Sequence, residues 1–183
     1  MINKKGFTLI ELLLALGILG IVSTVIFSIF ITNINNFERD QKRIEVQQNM
    51  RTAVEFISRE AMESKGIAEI KDLNNQKIDL KNLKVYNSNT ISIKSIVFKM
   101  IEKDNHEYSR FEVNKGINSV LKYGKFANST NNEIAYYIKK IDIQLLLQGE
   151  NINGMTFTIC TDEKYNIKPI ETSVYFRNMG VGK

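Results

Sequence analysis

The chain has 183 residues, a formal net charge of +5, one cysteine and one histidine. That length suits one domain with a modest core and an appendage. One cysteine excludes an internal disulfide, and one cysteine beside one histidine provides neither a zinc cluster nor a Cys–His nucleophile pair. The positive balance is thinly spread, with 17 Lys/Arg and 13 Asp/Glu after residue 65, as on a solubility surface.

The N-terminus is the most informative stretch. Residues 1–6 are short and basic, with Lys4 and Lys5 ahead of Gly6. Residues 7–31 are almost wholly apolar and carry one charge, Glu11. Twenty-five such residues are long enough to cross a bilayer of ~30 Å as a helix. Lys4 and Lys5 are expected to hold the N-terminus on the cytoplasmic side, leaving the bulk of the chain outside. A cleaved secretory signal has a shorter apolar stretch followed by a small-residue site, and residues 32–37 offer none. A plain signal anchor remains the rival reading. Against it stands Glu11, because an ionisable group inside a membrane segment costs a few kcal/mol and calls for a partner (about 2.5–3.5 kcal/mol for an acid at the helix centre).

The run from Lys5 through Gly6, Phe7, Thr8, Leu9, Ile10 and Glu11 to Leu13 resembles the processing signal of type IV prepilins: basic leader, Gly, Phe, and Glu four positions after the Phe, opening an apolar helix. The resemblance implies that a membrane prepilin peptidase cuts between Gly6 and Phe7 and that the new amine of Phe7 is methylated. It also implies that the Glu11 carboxylate pairs with the Phe7 amine of a neighbouring subunit, relieving two intramembrane charges at once. Other pilins or minor pilins, a membrane assembly platform and membrane lipid follow as partners, and no cofactor or enzymatic activity is expected.

No proline occurs before Pro169, so the helix is expected to run on through an amphipathic continuation, residues 32–65, with Gly66 as its stop signal. A helix from Phe7 to about Lys65 would be roughly 90 Å long at ~1.5 Å per residue. Met50, Ala53, Val54, Ile57 and Ala61 form its apolar stripe, extended toward the membrane by Phe37 and Ile44. The other faces carry Glu38, Lys42, Arg51, Glu55, Arg59, Glu60 and Glu63, expected to be solvated. Packing against the chain's own domain is expected over 50–61, with 32–48 protruding.

Residues 66–183 read as a β-rich head. The alternation at 90–94 continues into 96–101. Residues 108–113 and 117–123 read as strand, turn, strand, and 124–133 as a loop. Residues 136–147 allow one strand or two. A turn at 151–154 leads into 155–160, where Cys160 is expected to be buried and inert, and 170–176 is a last strand. Six or seven antiparallel strands under a long helix give an α+β, pilin-like fold class.

Residues 47–60 and 173–178 are similar to the corresponding parts of PilW-type and J-type minor pilins or pseudopilins. This resemblance implies a structural or initiating subunit of a type IV pilus or a type II secretion-like filament. The retained Glu11 implies a place beneath at least one other subunit. The expected location is the cytoplasmic membrane, then a pilus or pseudopilus at the cell surface. A competence pseudopilin or a DNA-binding tip protein is the alternative. It would need a basic strip, for which Lys122, Lys125, Lys139 and Lys140 are the candidates. His106 has no assigned role.

Overall fold

The computed structural model describes residues 8–80, 90–103, 106–116, 118–149 and 151–177. The chain divides into two compact units, Met1–Lys42 and Arg43–Lys183. Helix α1 spans Leu9–Glu63 without interruption, as expected where no proline occurs, and several of its hydroxyl side chains find partners within it. The Ser23 hydroxyl donates to the Leu19 carbonyl at 2.7 Å, Thr24 to Ile21 at 2.7 Å, and Thr32 to Ser28 at 2.9 Å.

In the second unit α1 buries Val46, Met50, Ala53, Ile57, Glu60 and Ala61, steps of three and four that keep one face toward the sheet. Packing therefore begins earlier than the apolar stripe suggests. Val46 is fully buried, Arg43 Nη2 donates to the Asn166 carbonyl at 3.3 Å, and the Tyr137 hydroxyl donates to Glu45 at 3.0 Å. Phe37 and Ile44, assigned to the same stripe, are exposed. Glu60, expected on the solvated face, is buried. Its carboxylate accepts bonds from the Ser109 hydroxyl at 2.5 Å and the Tyr123 hydroxyl at 3.3 Å.

Among the described residues there are eight strands: β1 (Ser64–Asp72), β2 (Ile91–Lys103), β3 (His106–Asn114), β4 (Val120–Gly124), β5 (Asn132–Tyr136), β6 (Lys140–Gln148), β7 (Asn151–Cys160) and β8 (Ile170–Tyr175). All pairs are antiparallel, in the order β5-β4-β3-β2-β6-β7-β8, with β1 on β2. β1 pairs with β2 from Ile93 to Met100, while β6 pairs with it only from Ile91 to Ile93, so the sheet divides along β2. Phe176 is buried edge-on to Phe98 at 6.3 Å, and the Arg177 amide donates to the Met62 carbonyl at 3.2 Å. The end of β8 is thereby tied to the end of α1.

Several local expectations change. The helix stops at Glu63, and Ser64 already belongs to β1, which the sequence pattern did not reveal. Ser64 makes the join: its buried hydroxyl donates to the Ala61 carbonyl at 2.7 Å and accepts from the Gly66 amide at 3.3 Å. Gly66 does not end the helix. Its φ of 138° serves an irregularity in the β1–β2 register between Ser64 and Gly66. Residues 136–147 hold the end of β5 and most of β6, and β5 starts at Asn132, inside the stretch expected as a loop; the chain breaks between the strands because Tyr137 adopts φ 66° and the amides of Tyr137 and Ile138 turn to the carbonyls of Asn118 and Ser119. The expected turn at 151–154 lies inside β7; the chain reverses just before it, at Gly149 with φ 67°.

The core fills the space between α1 and the inner sheet face. Phe98, Phe111, Phe157, Met50, Ile57 and Ile143 are among its fully buried side chains. Phe56 of α1 sits edge-on to Phe111 at 6.1 Å and to Tyr123 at 5.1 Å.

Candidate functional site

The site begins where the helix begins. Thr8 and Glu11 are spaced as a capping box, and they form one. The Thr8 amide and hydroxyl both donate to Glu11 Oε2 at 2.9 Å, and the Glu11 amide returns a bond to the Thr8 hydroxyl at 3.4 Å. The Thr-x-x-Glu spacing was readable in the sequence, so this role of Thr8 could have been found there. Lys4, Lys5, Gly6 and Phe7, the other residues of the expected processing and assembly site, lie outside the described residues.

Beyond the box, α1 presents apolar side chains on every side. Leu9, Leu12, Leu16, Leu19, Phe27 and Phe30 are all more than half exposed. A helix that is apolar all round is not a half-buried surface helix. Among the described residues α1 is the one helix long and apolar enough to cross a membrane, and the apolar window is not buried within the protein. The hydroxyls of Ser23 and Thr24 are satisfied by its own carbonyls. Glu11 brings the one charge between Leu9 and Ile31. The capping bonds satisfy part of that carboxylate's hydrogen-bonding capacity and leave its charge in place.

The remaining candidates separate from one another. Lys122 is ion-paired with Glu133 at 3.2 Å, and Lys140 with Asp142 at 2.7 Å. Lys125 lies in the β4–β5 loop and Lys139 ahead of β6, so the four lysines are not a continuous strip of uncompensated charge. His106 opens β3 in register with Lys103. Cys160 is half-buried rather than in the core, because alternation along β7 sends Met155, Phe157 and Ile159 inward and Cys160 to the other face. Its thiol lies 3.9 Å from Asp142 Oδ2, and burial, with the Asp142 charge, pushes its pKa up. Among the described residues no group of three or more His, Cys, Asp or Glu is placed to hold a metal.

A buried cation that sequence reading missed organises one loop. Arg110 donates to Glu112 at 3.1 Å, to Ser95 at 3.1 Å and to the Ala127 carbonyl at 2.8 Å. It pins the β4–β5 loop from beneath. Gly124 is required at the same place, since a Cβ there would lie 1.9 Å from the Ser129 carbonyl oxygen.

Residues 1–31 match the family model of the prokaryotic N-terminal methylation motif. No curated protein and no solved structure matches the chain. A prepilin-type motif on a long apolar N-terminal helix, followed by an antiparallel sheet, fits the architecture of type IV pilin-like proteins. The motif implies processing by a prepilin peptidase, assembly with other pilins and a membrane-anchored chain.

Proposed function

We propose that the chain is a minor pilin or pseudopilin, a structural or initiating subunit of a type IV pilus or a type II secretion-like filament. Residues 1–6 are its leader, 7–31 its transmembrane helix, 32–65 the continuation of that helix and 66–183 its head. Lys4 and Lys5 orient the leader toward the cytoplasm, the peptidase cuts between Gly6 and Phe7, and Phe7 is then N-methylated. The head lies outside the cytoplasmic membrane, and the assembled subunit is exposed at the cell surface.

The observation that carries this reading is the position of Glu11. It is a capped carboxylate at the start of a helix that is otherwise apolar through Ile31. A fixed negative charge in that setting favours a cation at the same depth. The amine released at Phe7 by cleavage would be such a cation, supplied by a neighbouring subunit. Pairing the two fixes the axial position of one helix against the next as a subunit leaves the lipid.

The test is the intact mass and N-terminal sequence of the chain from membranes, with and without the peptidase. The expected product is a mature chain starting at N-methyl-Phe7, present only with the peptidase. A chain that keeps residues 1–6 in both strains makes it a plain signal-anchored protein instead.

A further inference from the structure

One carboxylate builds the loop that follows β1. Asp72 Oδ1 accepts the Asn74 amide at 2.9 Å and the Gln76 amide at 2.8 Å, and the Asp72 amide donates to the Gln76 carbonyl at 2.9 Å. The turn it closes leaves Leu73 exposed. Asp72 is in register with Ile93 of β2, and Glu112 of β3 with Ser95, so the ends of β1 and β3 flank Lys94 of β2 from either side. There Leu73, Lys94, Val113, Asn114 and Lys115 line a cavity of about 320 Å³. That volume is at the lower end of the range for small-molecule sites, about 300–1,000 Å³.

The lining carries two ammonium groups and, among the described residues, no carboxylate. Neither charge is well taken up. Lys94 Nζ lies 3.4 Å from Asn75 Oδ1 and 3.8 Å from Glu112 Oε1. Both contacts are longer than the ~2.7–3.2 Å of an ordinary N–H···O bond. The other oxygen of Glu112 already accepts from Arg110, at 3.1 Å from Nη2 and 3.3 Å from Nε, so one carboxylate serves two cations. Lys115 is exposed, and among the described residues it has no ion pair or hydrogen bond. By contrast Lys77, Lys122 and Lys140 each hold a carboxylate within 3.2 Å. The rest of the lining is Asn114 and two apolar residues, the exposed Leu73 and the buried Val113.

We propose that this cavity binds a small organic anion, a carboxylate or phosphate group on a short apolar body. Lys94 and Lys115 take the anionic oxygens, as lysines do at phosphate sites, where each acts as a point charge. Asn114 adds a carboxamide able to donate or accept. Leu73 and Val113 take the apolar body out of water. A bare inorganic anion would satisfy the lysines and leave the apolar part of the lining unused. The proposal is independent of the pilin reading, because all five residues belong to the head.

The test uses the full chain in a non-ionic detergent, with leucine and valine methyl groups labelled for NMR. Phenyl phosphate and benzoate are the organic probes, and inorganic phosphate is the control. The expected result is a saturable shift of the Leu73 and Val113 methyl signals with at least one organic probe at millimolar concentration, and binding of inorganic phosphate at least about tenfold weaker. The tighter of the two organic probes distinguishes a phosphate ligand from a carboxylate. Lys115→Met, at an exposed position, is expected to leave the unfolding midpoint in place and to weaken the organic probe by about tenfold. Lys94→Met is expected to do the same to binding; if it also lowers the unfolding midpoint, Lys115→Met decides alone. Lys139→Met, at an exposed lysine outside the cavity, is expected to change nothing. No saturable shift with either organic probe, inorganic phosphate binding as tightly as they do (an adventitious ion only), or unchanged binding in Lys115→Met overturns the proposal.

Discussion

From Leu9 to Ile31 and from Arg43 to Glu63 the same helix solves opposite problems. The first stretch exposes leucine, isoleucine and phenylalanine on all sides and has no internal core. Its side chains are stabilised by what surrounds the protein, so most single apolar substitutions there leave the fold alone. The second stretch buries one face against a sheet and exposes the rest. Its side chains are stabilised by specific neighbours, so each buried position is sensitive to shape. One element thus contains a segment in which composition matters and another in which individual contacts matter.

The sharpest break of that comparison is at the start of the chain. Gly6→Val is expected to abolish cleavage, leaving all of the protein as precursor with residues 1–6 attached, as read by intact mass. Glu11→Leu comes next. It removes the one charge in the apolar segment and the two bonds that Glu11 accepts from Thr8, yet leaves head stability unchanged. Assembly into sheared surface filaments is expected to fall by on the order of tenfold or more. Normal filament yield from Glu11→Leu would remove the charge-pairing role.

Within the head the effects are thermodynamic. Phe111→Ala is expected to destabilise the head by about 3–5 kcal/mol in denaturant titration, since Phe111 is almost wholly buried beside Phe56, Phe98 and Tyr123. Ile21→Ala, in the exposed apolar stretch, is expected to leave the same titration unmoved. Gly124→Ala follows at roughly 1–3 kcal/mol, because its Cβ would overlap the Ser129 carbonyl and displace the loop held by Arg110. Smallest is Lys122→Ala, within about 0.5 kcal/mol, as for a solvent-screened surface pair. Cys160 adds a pH test. Its raised pKa keeps the thiol protonated to higher pH than a free cysteine, so alkylation at mildly alkaline pH is expected to be slower than for a free thiol and to accelerate at higher pH.

The legible parts of the molecule were those set by local physics. The apolar run 7–31, the unbroken helix and the helical spacing of Met50, Ala53, Ile57 and Ala61 follow from side-chain periodicity along one chain. The β2 alternation and the β3–β4 hairpin were visible for the same reason. Glu60 was misread because a carboxylate normally marks a solvated face; two hydroxyls on β3 and β4 make its burial tolerable, and no local pattern shows them. Cys160 was misread because its apolar neighbours hide the alternation that turns it outward.

The sequence by itself determined the membrane-length segment, the prepilin-type motif and the α+β class, because each depends on composition or on spacing within a few residues. Only the tertiary structure decided the rest. It placed β1 directly after Glu63, divided the sheet along β2 and gave Arg110 its partners. It also closed the β5 edge with Asn49 and set Leu73, Lys94 and Lys115 around one cavity. These outcomes depend on groups tens of residues apart meeting at hydrogen-bond distance, and that proximity exists only once the core has assembled.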